Sequence, residues 1–127
     1  MDGYNVIIKE SSKDLSVKER IAIKDTSNCE SIDTLTLAQG KLIIDYAYHV
    51  VLGIHNEKSD NPDYIKIIVV DKSGAKYMTG SAAFLSALTE IVEEMTAAGE
   101  ANDIKLECYR KESKNYKGKT FITVSLI

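Results

Sequence analysis

Residues 81–100 read SAAFLSALTEIVEEMTAAGE, and they decide the fold because they carry helical periodicity inside a chain otherwise written in strand alternation. Phe84, Ala87, Leu88, Ile91, Val92 and Met95 fall at i, i+3, i+4, i+7, i+8 and i+11, so one face of a 3.6-residue helix is apolar. Ser81 stands where an N-cap hydroxyl accepts from the first turn, and Gly99 where a chain leaves a helix.

Working outward, YIKIIVVD (64–71) alternates as a strand, DKSG (71–74) reads as a tight turn, and AKYMT (75–79) returns as a short hairpin extension. Upstream, KLIIDYAYHVVLGI (41–54) has Leu, Ile, Tyr or Val at every even position and reads as a strand buried on that face, joined to 64–71 through HNEKSDNPD. Residues 17–25, VKERIAIKD, put Val17, Ile21 and Ile23 on one parity and Lys18, Arg20 and Lys24 on the other, which predicts a first strand with one wet face. The Ser, Thr, Asn and Asp-rich segment 26–39 reads as a long connection with room for a helical turn. After the helix, DIKLECY (103–109) and KTFITVSLI (119–127) alternate again, joined by RKESKNYKG.

The expected fold is therefore mainly β with one α-helix: an OB-fold-like, five-stranded Greek-key barrel with the helix between strands three and four. An α+β sheet with a helix on one face gives the same element order. Residues 1–127 read as one domain, with 1–16 an N-terminal arm or extra strand, because no Pro/Gly/Ser linker or repeat divides the 127 residues.

Sixteen Lys and Arg against nineteen Asp and Glu give a net charge of −3, so any anion site must be local. No run approaches a membrane span and the N-terminus lacks the pattern of a secretory signal, so a soluble cytoplasmic protein is expected. Cys29 and Cys108 have no CxxC partner, and His49 and His55 lack metal-ligand spacing, so neither metal nor cofactor is expected. SKNYKGKT (113–120) ends like a phosphate-binding P-loop, but a strand follows the threonine where that loop needs a helix. With no GxSxG or HExxH either, a non-enzyme is expected.

What remains is the face of each strand that the core does not use. Parity leaves Tyr64 and Lys66 there, then Lys105 and Tyr109, then Lys119 and Phe121. Bases stack on aromatic rings whatever their sequence, while nearby cations follow the phosphates. The structural alternative is that Tyr64 and Phe121 cover a second small core beneath the arm bearing Val6, Ile7 and Ile8. Tyr46 and Tyr48, on the apolar parity, read as core tyrosines with satisfied hydroxyls.

The sharpest local signal is RKESKNYKGK (110–119), where Arg110, Lys111, Lys114, Lys117 and Lys119 face one acid, Glu112. This segment carries +4 and the remainder −7. Tyr116 sits among its lysines, which is the interleaving that single-strand contact uses. Arg20 joins the candidate contacts from the first alternating segment.

With these elements in place, GKLIIDYA, HNEKSD, IIVVDKSGAKY, AAFLSALTEIVEEM and YRKESKNYKGKTFITVSLI resemble the small single-stranded DNA-binding proteins of tailed bacteriophages that replicate by protein priming, and relatives in phages of Gram-positive hosts. The resemblance covers roughly residues 40–127. It implies an OB-like fold that coats single strands in the host cytoplasm during phage replication or recombination, with Tyr64, Tyr109, Tyr116 and the loop lysines as contacts. Single-stranded RNA and replication or recombination proteins are further partners it allows, with the chain a monomer or a homodimer. The competing expectation is a phage-encoded protein-interaction or inhibitor module on the same barrel, which would present the acidic helix face of Glu90, Glu93, Glu94 and Glu100.

Overall fold

A computed structural model describes residues 3–114 and 118–127. In chain order these form β1 (Tyr4–Ser11), α1 (Val17–Ile23), β2 (Glu30–Ser31), α2 (Ile32–Gln39), β3 (Lys41–Asn56), β4 (Asp63–Asp71), β5 (Lys76–Thr79), α3 (Ala82–Ala97), β6 (Lys105–Glu112) and β7 (Thr120–Leu126). The strands make one curled, half-barrel sheet in the order β2-β5-β4-β3-β6-β7, with β1 also paired to β3. The mainly β expectation holds.

The long β3 organises everything. Its first part, Lys41 to Asp45, pairs with β6, while its later part pairs with β4 on one side and β1 on the other. Between Tyr46 and Tyr48 the β3–β4 register slips, the mark of a β-bulge, and one extra residue turns the following side chains to the other face. Ile44 and Tyr46 therefore enter the main core with Ile67, Val69, Phe84, Leu88, Leu106, Cys108, Ile122 and Val124, whereas Val50, Leu52 and Ile54 enter a second core with Ile23, Ile68 and Val70. The even residues of β3 are buried as alternation predicts, but in two different layers.

α3 forms where its periodicity puts it. Ser81 Oγ accepts from Phe84 N at 3.1 Å, and Gly99 carries φ +76° just past the end. In the turn from β4 to β5, Asp71 Oδ1 accepts from Ser73 N and Ala75 N while Gly74 takes φ +92°.

Two expectations are corrected. Residues 17–25 are not a first strand: 17–23 form α1, started by a capping box in which Glu19 N donates to Ser16 Oγ (3.1 Å) and Ser16 N to Glu19 Oε1 (3.0 Å). Lys76 Nζ holds the far end of that helix by donating to the carbonyls of Ala22 and Asp25. The connection 26–39 contains β2 and α2, so the described residues form three helices rather than one. β2 pairs in parallel with β5, and α2 sends Ile32 into the main core. The N-terminal arm is the extra strand β1.

Candidate nucleic-acid interface

β6 and β7 pair from Leu106↔Leu126 to Glu112↔Thr120, and their alternation is strict. Leu106, Cys108, Ile122 and Val124 go into the main core, so Lys105, Glu107, Tyr109, Lys111, Phe121, Thr123 and Ser125 face outward. Lys41 of β3 lies opposite Tyr109 and joins this face. Tyr109 is paired with Thr123 and Phe121 with Lys111, so the two residues occupy diagonal positions on adjacent strands, a spacing of about 7–8 Å between strand positions. Both are half-buried, and Tyr109 Oη lies 2.9 Å from Ser125 Oγ, which fixes that ring.

The surrounding charge is mostly positive. Lys105 and Lys111 are exposed, and two acids share the patch: Glu107, whose Oε1 sits 3.6 Å from Lys41 Nζ, and Asp45 of β3, opposite Lys105, whose Oδ1 sits 3.6 Å from Lys72 Nζ. Lys114 continues the cationic run as an exposed residue after β6, and Lys119 is exposed just before β7. Tyr116 and Lys117 lie outside the described residues.

Not every residue expected at the interface comes to this face. Tyr64 packs against the second core with Val6, Ile8 and Leu15, the structural alternative named above. Its neighbour Lys66 is half-buried opposite Leu52, and Ile68, which has the same parity as Tyr64 and Lys66, is fully buried in the second core with Ile23 of α1. Arg20 stands on α1 and is exposed, so it belongs to a helix and not to a strand face. Arg110 has the inward parity of β6: its Nη2 donates to the Asp33 carbonyl (3.2 Å) and its Nη1 to Thr120 Oγ1 (3.0 Å). With Thr79 Oγ1 donating to Asp33 Oδ1, the start of α2 is clamped between β5 and β6. Arg110 is thus a clasp between β6 and the start of α2, and among the described residues its buried Nε has no partner.

The chain matches no protein-family model, no curated protein and no solved structure. The chemistry of the site is therefore read from its own geometry. Thr120 opens β7, so no helix N-terminus follows SKNYKGKT to cradle a phosphate. Burial pushes the Cys108 thiol up to about 12 and also raises that of Cys29, so neither presents a thiolate at neutral pH. Among the described residues no three His, Cys, Asp or Glu side chains converge to hold a metal ion. Among the described residues no helix is long and apolar enough to cross a membrane.

Residue-by-residue reading missed one polar cluster, inside the sheet. Tyr46 Oη donates to Ser12 Oγ (2.9 Å) and lies 2.7 Å from His49 Nδ1, while Ser12 Oγ accepts from His49 N (2.9 Å). Burial pushes the Tyr46 phenol up to about 12 and the His49 imidazole down to about 4, so both are neutral at pH 7. Tyr46 is thus a core tyrosine with a satisfied hydroxyl. Tyr48 is half-buried on the second core with Lys13 Nζ 4.5 Å over its ring.

Proposed function

We propose that this chain is a sequence-tolerant single-stranded DNA-binding protein that lays unstacked bases on the outer face of β6 and β7. The observation that carries the reading is the diagonal pair Tyr109 and Phe121 on an open sheet face bordered by Lys41, Lys105 and Lys111. Successive bases stack on such rings and the cations track the backbone between them. Lys114 and Lys119 extend the path along the hairpin, and Tyr116 and Lys117 belong to the same charged segment.

The topology supports an OB-like barrel as the scaffold. β3, β4 and β5 form a meander, α3 follows, β6 returns to the first part of β3, and β7 closes the hairpin. That is the strand order of the five-stranded Greek-key barrel with its helix between strands three and four, counted from β3 rather than from residue 17. It departs from that barrel at the seam between β5 and β7, which β2 and α2 occupy in place of a strand pairing. The resemblance to phage single-strand binders adds the setting: coating of single strands during phage replication or recombination. Single-stranded RNA presents the same stackable bases and phosphates.

The electrostatic part is tested by the salt dependence of binding. Each phosphate neutralised on a single strand contributes a log–log slope of about −0.7, so replacing Lys105, Lys111 and Lys114 with alanine should flatten the slope by roughly two units. All three side chains are exposed, so folding should be unaffected. An unchanged slope would move the path to the Lys18, Arg20 and Lys66 side of the sheet.

A further inference from the structure

A second site lies between the end of β1, the middle of β3 and α3, and it shares no residue with the β6–β7 face. It is a cavity of about 450 Å³ lined by Glu10, Ser12, His49, Thr89 and Glu93 among others. His49 is 7% exposed, and its tautomer follows from which way the two hydroxyls beside it point. Ser12 Oγ donates to the His49 carbonyl (3.3 Å) and Tyr46 Oη donates to Ser12 Oγ (2.9 Å), so the phenol oxygen is left to accept from Nδ1–H at 2.7 Å. Nε2 is then the bare nitrogen. It makes no hydrogen bond among the described residues and is not sealed from solvent, and His49 is one of the residues that line the cavity.

The charge around this acceptor is one-signed. Glu10 and Glu93 stand in the lining, and Glu90 and Glu94 lie three residues before and one after Glu93 on the same helix. Among the described residues none of the four makes an ion pair, and α3 contains no Lys or Arg. The arrangement costs stability twice. Glu90 repels Glu93 and Glu94 at i+3 and i+4, and Glu93 and Glu94 lie toward the helix end where the backbone dipole is already negative. A cation arriving from outside would offset both effects.

We propose that this cavity binds one organic cation, an alkylammonium or guanidinium group, whose N–H donates to His49 Nε2 while Glu93 and Glu10 balance its charge. Thr89 supplies a further hydroxyl acceptor. A neutral imidazole is required, because a protonated Nε2 would be a donor and a like charge. Burial keeps it neutral at physiological pH, since it holds the pKa near 4. The carrier of the group is either a free polyamine-like molecule or a basic side chain of a partner protein.

The test is nitrogen-15 NMR of the His49 ring in the intact chain, titrated with agmatine as a free cation and with acetyl-Gly-Arg-Gly-amide as a side chain on a backbone, against sodium chloride at matched ionic strength. The free protein should show Nδ1 protonated and Nε2 bare. Either probe should move Nε2 saturably, and Glu93→Gln should weaken that binding about fivefold or more. That variant removes a repulsive charge from α3, so it keeps the fold. A response to agmatine alone supports the site with a free amine as ligand, and a response to the peptide supports it with a protein side chain. The proposal is overturned if Nε2 carries the proton in the free protein, if neither probe moves it, if salt alone produces the same shift, or if Glu93→Gln binds as well as the parent.

Discussion

Replacing Tyr109 and Phe121 together with alanine is expected to weaken binding to a single-stranded oligonucleotide by roughly 2–6 kcal/mol, the loss of two stacked bases at about 1–3 kcal/mol each. The double variant matters because the rings are diagonal neighbours, so a strand that loses one can shift onto the other and mask a single substitution. Neither ring is among the buried residues of the main core; Tyr109 gives up a hydroxyl contact to Ser125 and each residue some half-buried surface. The melting transition should therefore move far less than the affinity. Fluorescence anisotropy of a labelled oligonucleotide and circular-dichroism melting separate the two effects. A variant that melts several degrees lower yet binds like the parent would make Tyr109 and Phe121 structural and leave the interface without its stacking platform.

Acid should destabilise the protein through His49. The folded pKa near 4 lies below the value of about 6.5 for an unfolded chain, so between those pH values the unfolded state binds a proton that the folded state refuses. Stability is full above pH 6.5 and falls as pH drops toward 4, by about 3 kcal/mol in all. The groups around the ring are Tyr46, neutral throughout this range, and the carboxylates of Glu10 and Glu93 at the cavity. His55 works in the opposite sense: the Asp63 carboxylate at 2.7 Å raises its pKa, so its contribution is present below pH 6.5 and lost as pH rises through the folded value. That pair is exposed and its effect is small. Urea unfolding at pH 7.5 and 4.5 should give a large drop for the parent chain and almost none for His49→Gln. Equal drops in both would place the acid sensitivity elsewhere.

How far the sequence could be read depended on whether the deciding partner was near in the chain. α3 was legible because its cap, its apolar face and its stop all lie within 81–99. The outward set on β6 and β7 was legible because both strands have one core face and one open face, so Lys105, Tyr109, Lys111 and Phe121 follow from parity alone. β4 misled because its outer face is covered too. The unbroken IIVV at 67–70 was a visible sign of burial on both sides, but the cover comes from Leu15 and Ile23, some fifty residues earlier. Arg110 looked like a loop cation, and only the Asp33 carbonyl, 77 residues away, makes it a clasp. For α1 the evidence was local and conflicting. VKERIAI alternates, yet Ser16 and Glu19 spell a capping box, and Val17 and Ile21, four residues apart, end up exposed on the helix rather than buried in a strand.

The bulge after Tyr46 has no comparable signature in the residues around it. It also sets His49 on the main-core side of the sheet, in register with Val69, and so creates the Tyr46–His49–Ser12 cluster. Alternation alone would have left that imidazole in solvent.

The most direct test of the account is equilibrium binding of one labelled oligonucleotide, measured as a free strand and again after annealing to its complement at the same salt concentration. Bases paired in a duplex are stacked on one another and cannot lie on Tyr109 and Phe121. The account predicts that the free strand binds at least about tenfold more tightly than the duplex, with homopolymers differing little among themselves. Equal affinity for the two forms, or no binding to either, would contradict it.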